Sequence, residues 1–208
     1  MTIYRSVAAG PSGAFDEVPD GVPAVAFEVP DGVPAGAFEV PDGVPVTGVS
    51  LGHRELSEAD HWILSLTPAP VLACTHLVRE PFPHVAVSLV DTSSSLSGVV
   101  ETPPALQAAA DLAADLAAAS ASGRAVIFPG AENLVGTLRI ADVLALSAIE
   151  RIEVLGGEVA VPEMLLETHD FVRPQYRAGQ LILTAMPSAG RRLVPFETRH
   201  PTPCCAGH

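Results

Sequence analysis

From residue 49 onward, apolar positions either recur at helical spacing or bunch into short runs, and the two patterns divide the chain into elements. Leu56-Ser-Glu-Ala-Asp-His-Trp-Ile-Leu-Ser-Leu66 has the spacing of a short amphipathic helix, with Ser57 as N-cap and Asp60 as its capping-box partner. Pro68 and Pro70 end it. The β-rich runs 71–78 and 84–90, separated by Glu80-Pro-Phe-Pro83, predict two strands joined by a rigid connection. Thr102-Pro103 supplies a cap and a first-turn proline for a helix over about 104–120. On it Gln107, Asp111 and Asp115 make a polar stripe, Ala109, Leu112 and Leu116 face a core, and Gly123 stops it.

Arg124-Ala-Val-Ile-Phe128 then reads as a buried strand, 134–146 as a helical segment, and Arg151-Ile-Glu-Val-Leu155 as a strand closed by a Gly-Gly turn. Alternation of strand and helix predicts a partly parallel sheet with crossover helices packed on it. The last runs, 165–172, 180–185 and 192–196, predict strands that pair antiparallel through turns near Arg177-Ala-Gly179 and Pro187-Ser-Ala-Gly190. The expected fold class is α/β: a single domain of two or three layers with a mixed sheet over 49–208, preceded by a low-complexity N-terminal repeat segment.

That segment, 1–48, carries Glu-Val-Pro-Asp-Gly-Val-Pro at 17–23, 28–34 and 39–45, a period of 11. Each Pro-Asp-Gly is a turn with a mechanism: proline fixes one corner and glycine accepts the left-handed one. Seven prolines and seven glycines in 48 residues leave few ladder hydrogen bonds, which predicts a disordered or loosely extended tail. One reading is a spacer; the other is a docking tail that presents Phe27 and Phe38 to a protein partner.

Composition narrows the function. Twenty-four acidic residues against eleven basic ones leave a net charge of −13, with no basic field to steer nucleic acid. All eleven basic residues are arginines, which removes Schiff-base and P-loop lysine chemistry. No run of about 18 apolar residues predicts a membrane span. Met1 to Gly10 contains no signal-peptide core, and three cysteines, two of them adjacent, make a poor disulfide framework. Both features predict a cytoplasmic protein with reduced thiols. The alanine-rich, lysine-free usage resembles that of a high-GC bacterium.

The densest chemistry lies in His200-Pro-Thr-Pro-Cys204-Cys205-Ala-Gly-His208. Thiolate and imidazole are the donors that zinc and copper(I) prefer, and Cys205-x-x-His208 lets both reach one ion from a turn. Upstream, Cys74-x-His76 lies in a predicted strand, where residues two apart share a face. The expectation is therefore a zinc or copper(I) site in the segment carrying Cys204, Cys205 and His208, with Cys74 and His76 as the second half of a Cys2His2 shell around Cys205 and His208 and Cys204 as a spare thiol. Cys-Cys-Ala-Gly also resembles the C-terminal end of mercuric reductases, where the pair passes mercury(II) to the active site. That likeness covers four residues, and the chain has no Gly-x-Gly-x-x-Gly for a flavin.

Weaker candidates are Glu167 with His169, read as an exposed face, the serine cluster 92–95, read as a solvated loop, and Glu132 with Asn133 after a strand. His53, His61 and His84 read as isolated surface or core histidines, and Trp62 as core or an interface anchor. Three functions follow as expectations. The first is metal or thiol binding, the second a non-catalytic interaction module tethered by its acidic tail, and the third an enzyme with a cleft near 91–95 and 129–133.

Overall fold

Valine-rich runs with side chains on alternate faces build the centre of the molecule. The computed structural model describes residues 44–91, 101–157 and 159–199. The repeats up to residue 43, the serine cluster and the Cys-Cys-x-x-His segment lie outside them. Among the described residues ten strands form one mixed sheet: β1 Val46–His53, β2 Leu72–Val78, β3 His84–Val90, β4 Ser122–Ile127, β5 Thr137–Arg139, β6 Arg151–Val154, β7 Leu165–Glu167, β8 Gln175–Arg177, β9 Gln180–Ser188 and β10 Arg192–Pro195. Their spatial order is β1-β3-β2-β4-β8-β9-β10-β7-β5, with β6 paired to β9 beside this path. The helices are α1 Leu56–Ser65, α2 Gln107–Ala118, preceded by a 3-10 turn at Pro104–Leu106, and α3 Ile140–Leu146. No helix among the described residues is long and apolar enough to cross a membrane.

The mixed α/β class read from the sequence is the observed one. Parallel pairing is confined to β7 with β10 and β6 with β9; the other ladders are antiparallel. Helix α2 carries the chain from β3 to β4, but β2 lies between them and is antiparallel to both. The alternation of strand and helix was therefore legible, while the strand inserted between the two ends of the crossover was not. β1 begins at Val46, inside the stretch read as tail, and pairs along β3 from Val46 opposite Val90.

Side-chain alternation divides the core between the two faces of the sheet. Ala73, Val85, Val87, Leu89, Val126 and Val49 meet Ala59 and Ile63 of α1 on one face. On the other face Val78 and Ala86 meet Ala109 and Ala113 of α2, and Leu72 and Cys74 join a larger cluster that includes Ile140 and Val143 of α3. Burial of these side chains drives the assembly at about 25 cal/mol per Å² of apolar surface.

Helix α2 buries Ala109, Ala110, Ala113 and Ala117, whereas Leu112 is 47% exposed. The core face expected through Leu112 is thus rotated toward the small residues. The cause is close approach: a side chain at Gly48 of β1 would put its first carbon 1.8 Å from the Ala110 carbonyl oxygen. Only alanines fit between a helix and a sheet at that separation.

The N-terminus of α1 also differs from expectation. Its N-cap is Glu55, and the Glu58 carboxylate accepts hydrogen bonds from the backbone N–H groups of Arg54 at 2.9 Å and Glu55 at 3.4 Å. Those bonds hold the Glu58 carboxyl below its usual range. The helix starts early enough that Ser57 lies within it, and Asp60 is left with a different task. The helical segment expected over 134–146 is divided, with β5 taking Thr137–Arg139 and α3 starting at Ile140. The strand expected over 165–172 ends at Glu167, where His169 and Asp170 turn with φ of 52° and 51°.

Candidate functional site

Arg124 is the third residue of β4, ahead of the apolar Ala125, Val126 and Ile127, and an arginine on a buried face requires partners. Its register neighbour on β2 is Thr75, and their shared face lies under α1. Asp60, in the second turn of α1, takes both ends of the guanidinium: Nη1 donates to Oδ1 at 2.7 Å and Nη2 to Oδ2 at 3.0 Å. From the segment after β10, Glu197 accepts Nε on both oxygens at 2.8 Å and also accepts from Nη2. Thr75 Oγ1 accepts from Nη1 at 3.3 Å. One guanidinium thus joins a helix, two strands and the chain beyond β10.

A second arginine shares the Asp60 carboxylate. Arg173 Nε donates to Asp60 Oδ2 at 3.1 Å and its Nη1 donates to the Val172 carbonyl at 3.0 Å. Its guanidinium lies over the Phe171 ring, 4.3 Å from the centroid. Arg199 approaches the same ring at 5.7 Å and donates to the Asp170 carbonyl at 3.1 Å. Planar cations on aromatic faces are favourable by about 0.5–2 kcal/mol each.

These groups form the floor and one wall of an open cleft of about 840 Å³. Leu64 and Phe196, 60% and 58% exposed, supply apolar surface, and His61 faces the same space from α1. Side chains on the floor are little exposed: 8% for Arg124, 11% for Asp60 and 12% for Arg173, with Glu197 at 31%. Burial pulls the Arg124 pKa down, but hydrogen bonds to Glu197 and Asp60 outweigh it and hold the group above the usual guanidinium value. For Arg173 burial wins: desolvation lowers its pKa, Asp60 opposes, and the charge of Arg124 adds to the lowering. Arg173 thus shares its carboxylate with Arg124 at the edge of a cleft walled by aromatic and aliphatic side chains, where an added anion can accept further hydrogen bonds from it.

Of the metal ligands expected from sequence, the two among the described residues lie elsewhere. Cys74 and His76 lie on one face of β2, as their spacing predicted, and both are buried. Cys74 sits in the core with its thiol pushed up to about 12 by burial, opposed by a hydrogen bond with Ser88. His76 Nε2 is 2.9 Å from Ser88 Oγ, and burial lowers its pKa to about 4. Cys204, Cys205 and His208 lie outside the described residues. No group of three or more His, Cys, Asp or Glu suited to a metal ion occurs among the described residues.

Glu167 is half-buried and His169 exposed, 3.9 Å apart, and Glu167 also faces Arg192 at 3.6 Å. Asn133 Nδ2 donates to the Leu146 carbonyl at 3.1 Å, so it holds a corner in which a side chain at Gly130 would come within 2.1 Å of that carbonyl. His84 is a hydrogen-bonded core histidine, with Nε2 at 2.8 Å from Ser50 Oγ and Nδ1 at 2.7 Å from the Phe82 carbonyl. Trp62 is half-buried against the α1 face of the core.

Reading for motifs missed the arginine-carboxylate network because its members are scattered. The available signal was Arg124 itself, a charge opening a buried-type run. Asp60 was concealed by a capping pattern that fits the same residues. No family model, no curated protein and no solved structure matches the chain.

Proposed function

We propose that the chain binds a small organic anion, a carboxylate or phosphate carried on an apolar or aromatic body, in the cleft beneath α1. The observation that carries this reading is the shared Asp60 carboxylate. It is divided between Arg124, which has a second acid in Glu197, and Arg173, which turns toward a cleft lined by Phe171, Arg199 and Phe196. Cleft volume and lining suit the general anatomy of small-molecule sites, which are apolar pockets with a few convergent polar groups. The anionic group would meet Arg173 and Arg199, and the apolar body would lie against Phe196 and Leu64. Arg124 would act as a positioning residue that fixes Asp60 and Glu197.

The test is a thermal-shift and calorimetric screen of the full chain. It sets aromatic carboxylates and phosphates, such as benzoate and phenyl phosphate, against uncharged amides and alcohols of the same skeletons. Anions are expected to raise the melting temperature and their uncharged counterparts to leave it unchanged, with at least tenfold weaker binding in Arg199→Ala. No response to any anion up to millimolar concentration, or an equal response to the uncharged compounds, overturns the reading.

A further inference from the structure

Arginines and carboxylates balance around the cleft beneath α1. Arg124 and Arg173 on its floor are set against Asp60 and Glu197, and the exposed Arg199 against the exposed Glu55. A ligand with a negative charge alone would upset that balance in a partly dry space, whereas one that carries both signs preserves it. The hydrogen bonds show where its positive group would go. Arg124 donates from Nε to Glu197, from Nη1 to Asp60 and Thr75, and from Nη2 to Asp60 and Glu197. A guanidinium has about five N–H donors, so Arg124 has none left for a ligand. Glu197 is in the opposite position. Its Oε1 accepts from both Nε and Nη2 of Arg124, its Oε2 accepts from Nε alone, and 31% of its side chain is exposed. A carboxylate offers about four acceptor positions, so Oε2 retains capacity for a further donor. Together with Leu56 and Arg124, Glu197 lines both the large cleft and a second cavity of about 280 Å³, so its carboxylate borders open space on two sides.

We propose that the anion bound in the cleft is an amino acid with an apolar side chain, its carboxylate held by Arg173 and Arg199 and its ammonium group by Glu197. The inference rests on the anion reading and narrows it to one class of ligand. The charge of Glu197 reaches Arg173, which sets partners of opposite sign within the span of one small molecule. An ammonium is a compact donor that needs a single open acceptor, and charge on both sides strengthens the bond it makes. The apolar side chain lies against Phe196 and Leu64, the exposed hydrophobic residues of the cleft.

The test is titration calorimetry of the full chain with matched compounds. Phenylalanine and leucine are compared with hydrocinnamate and isocaproate, which are the same acids without the amine, and with the N-acetyl derivatives, in which the amine carries no charge. The two amino acids are expected to bind at least tenfold more tightly than either set. Equal binding by the amine-free acids overturns this inference and leaves the anion reading standing; no binding by any of the acids overturns both. Glu197→Gln keeps a carbonyl oxygen for Arg124 and removes the charge. In that variant, with folding verified by circular dichroism, the preference for phenylalanine over hydrocinnamate is expected to vanish while hydrocinnamate affinity is kept. A preference that survives there overturns the assignment of the ammonium to Glu197, and the comparison in the unaltered protein decides the ligand class whether or not the variant folds.

Discussion

Removing the Asp60 carboxylate tests the network at its hinge. In Asp60→Ala, Arg124 loses two of its hydrogen bonds but keeps Glu197, whereas Arg173 loses its carboxylate and keeps the Val172 carbonyl and the Phe171 ring. Both guanidiniums stay buried, and leaving a buried charge without its partner costs about 3–5 kcal/mol. Against a total stability of roughly 5–15 kcal/mol, that is a large share. At about 2–4 °C per kcal/mol for a chain of this size, the melting temperature falls by roughly 6–20 °C. Urea unfolding followed by the fluorescence of Trp62, which lies in α1 two residues after Asp60, reads the loss directly. The double variant Asp60→Ala/Arg173→Ala removes the stranded cation and is expected to recover part of the stability. A loss below about 1 kcal/mol in the single variant, or strictly additive losses in the double, would refute the view that Asp60 compensates a desolvated pair.

Four further outcomes follow from the same coordinates. His76 is held at about 4 by burial, against an ordinary 6.5, so the unfolded chain takes up a proton first as pH falls. Stability is intact above about 6.5 and declines toward pH 4, by on the order of 3 kcal/mol, and urea midpoints across that window should flatten in His76→Gln. With Cys204 and Cys205 replaced by serine so that one thiol remains, Cys74, pushed up to about 12 from 9.0 by burial, should stay inert to a thiol reagent at pH 9 in the folded protein and react when urea is added; prompt native-state labelling of that variant contradicts its burial. Gly48→Ala should cost about 3 kcal/mol or more, because the Ala110 carbonyl backbone leaves the new carbon no room; calorimetry of the variant checks it. Phe196→Ala removes an exposed ring, so anion affinity should fall in titration calorimetry while the melting temperature of the free protein stays within about 1–2 °C.

Local physics made most elements legible and tertiary physics concealed the site. The runs over 71–78 and 84–90 became β2 and β3 nearly residue for residue, since β-branched stretches bounded by prolines leave the backbone little choice. Segment 134–146 was misread because Thr137–Arg139 is drawn into a ladder with β7, a long-range pairing that helical spacing cannot report. Leu112 was assigned to the core from helical spacing, while the close approach of α2 to β1 turns the alanines inward instead. Of the candidate chemistry, Cys74 and His76 could be placed on one face by counting. Asp60, Arg124, Arg173 and Glu197 could not be joined, because no spacing rule spans the 64, 73 and 113 residues that separate the bonded pairs.

Those separations have a kinetic side. Loop closure over such distances is among the last gains a folding chain collects, and long-range contacts slow the approach to the native state. α1, β2 and β3 can assemble into a local hairpin and helix while Arg124 still lacks its acid from the far side of β10. A ligand that recognises the completed floor therefore binds only molecules whose distant ends have met, and its occupancy would act as a readout of finished folding rather than of local order.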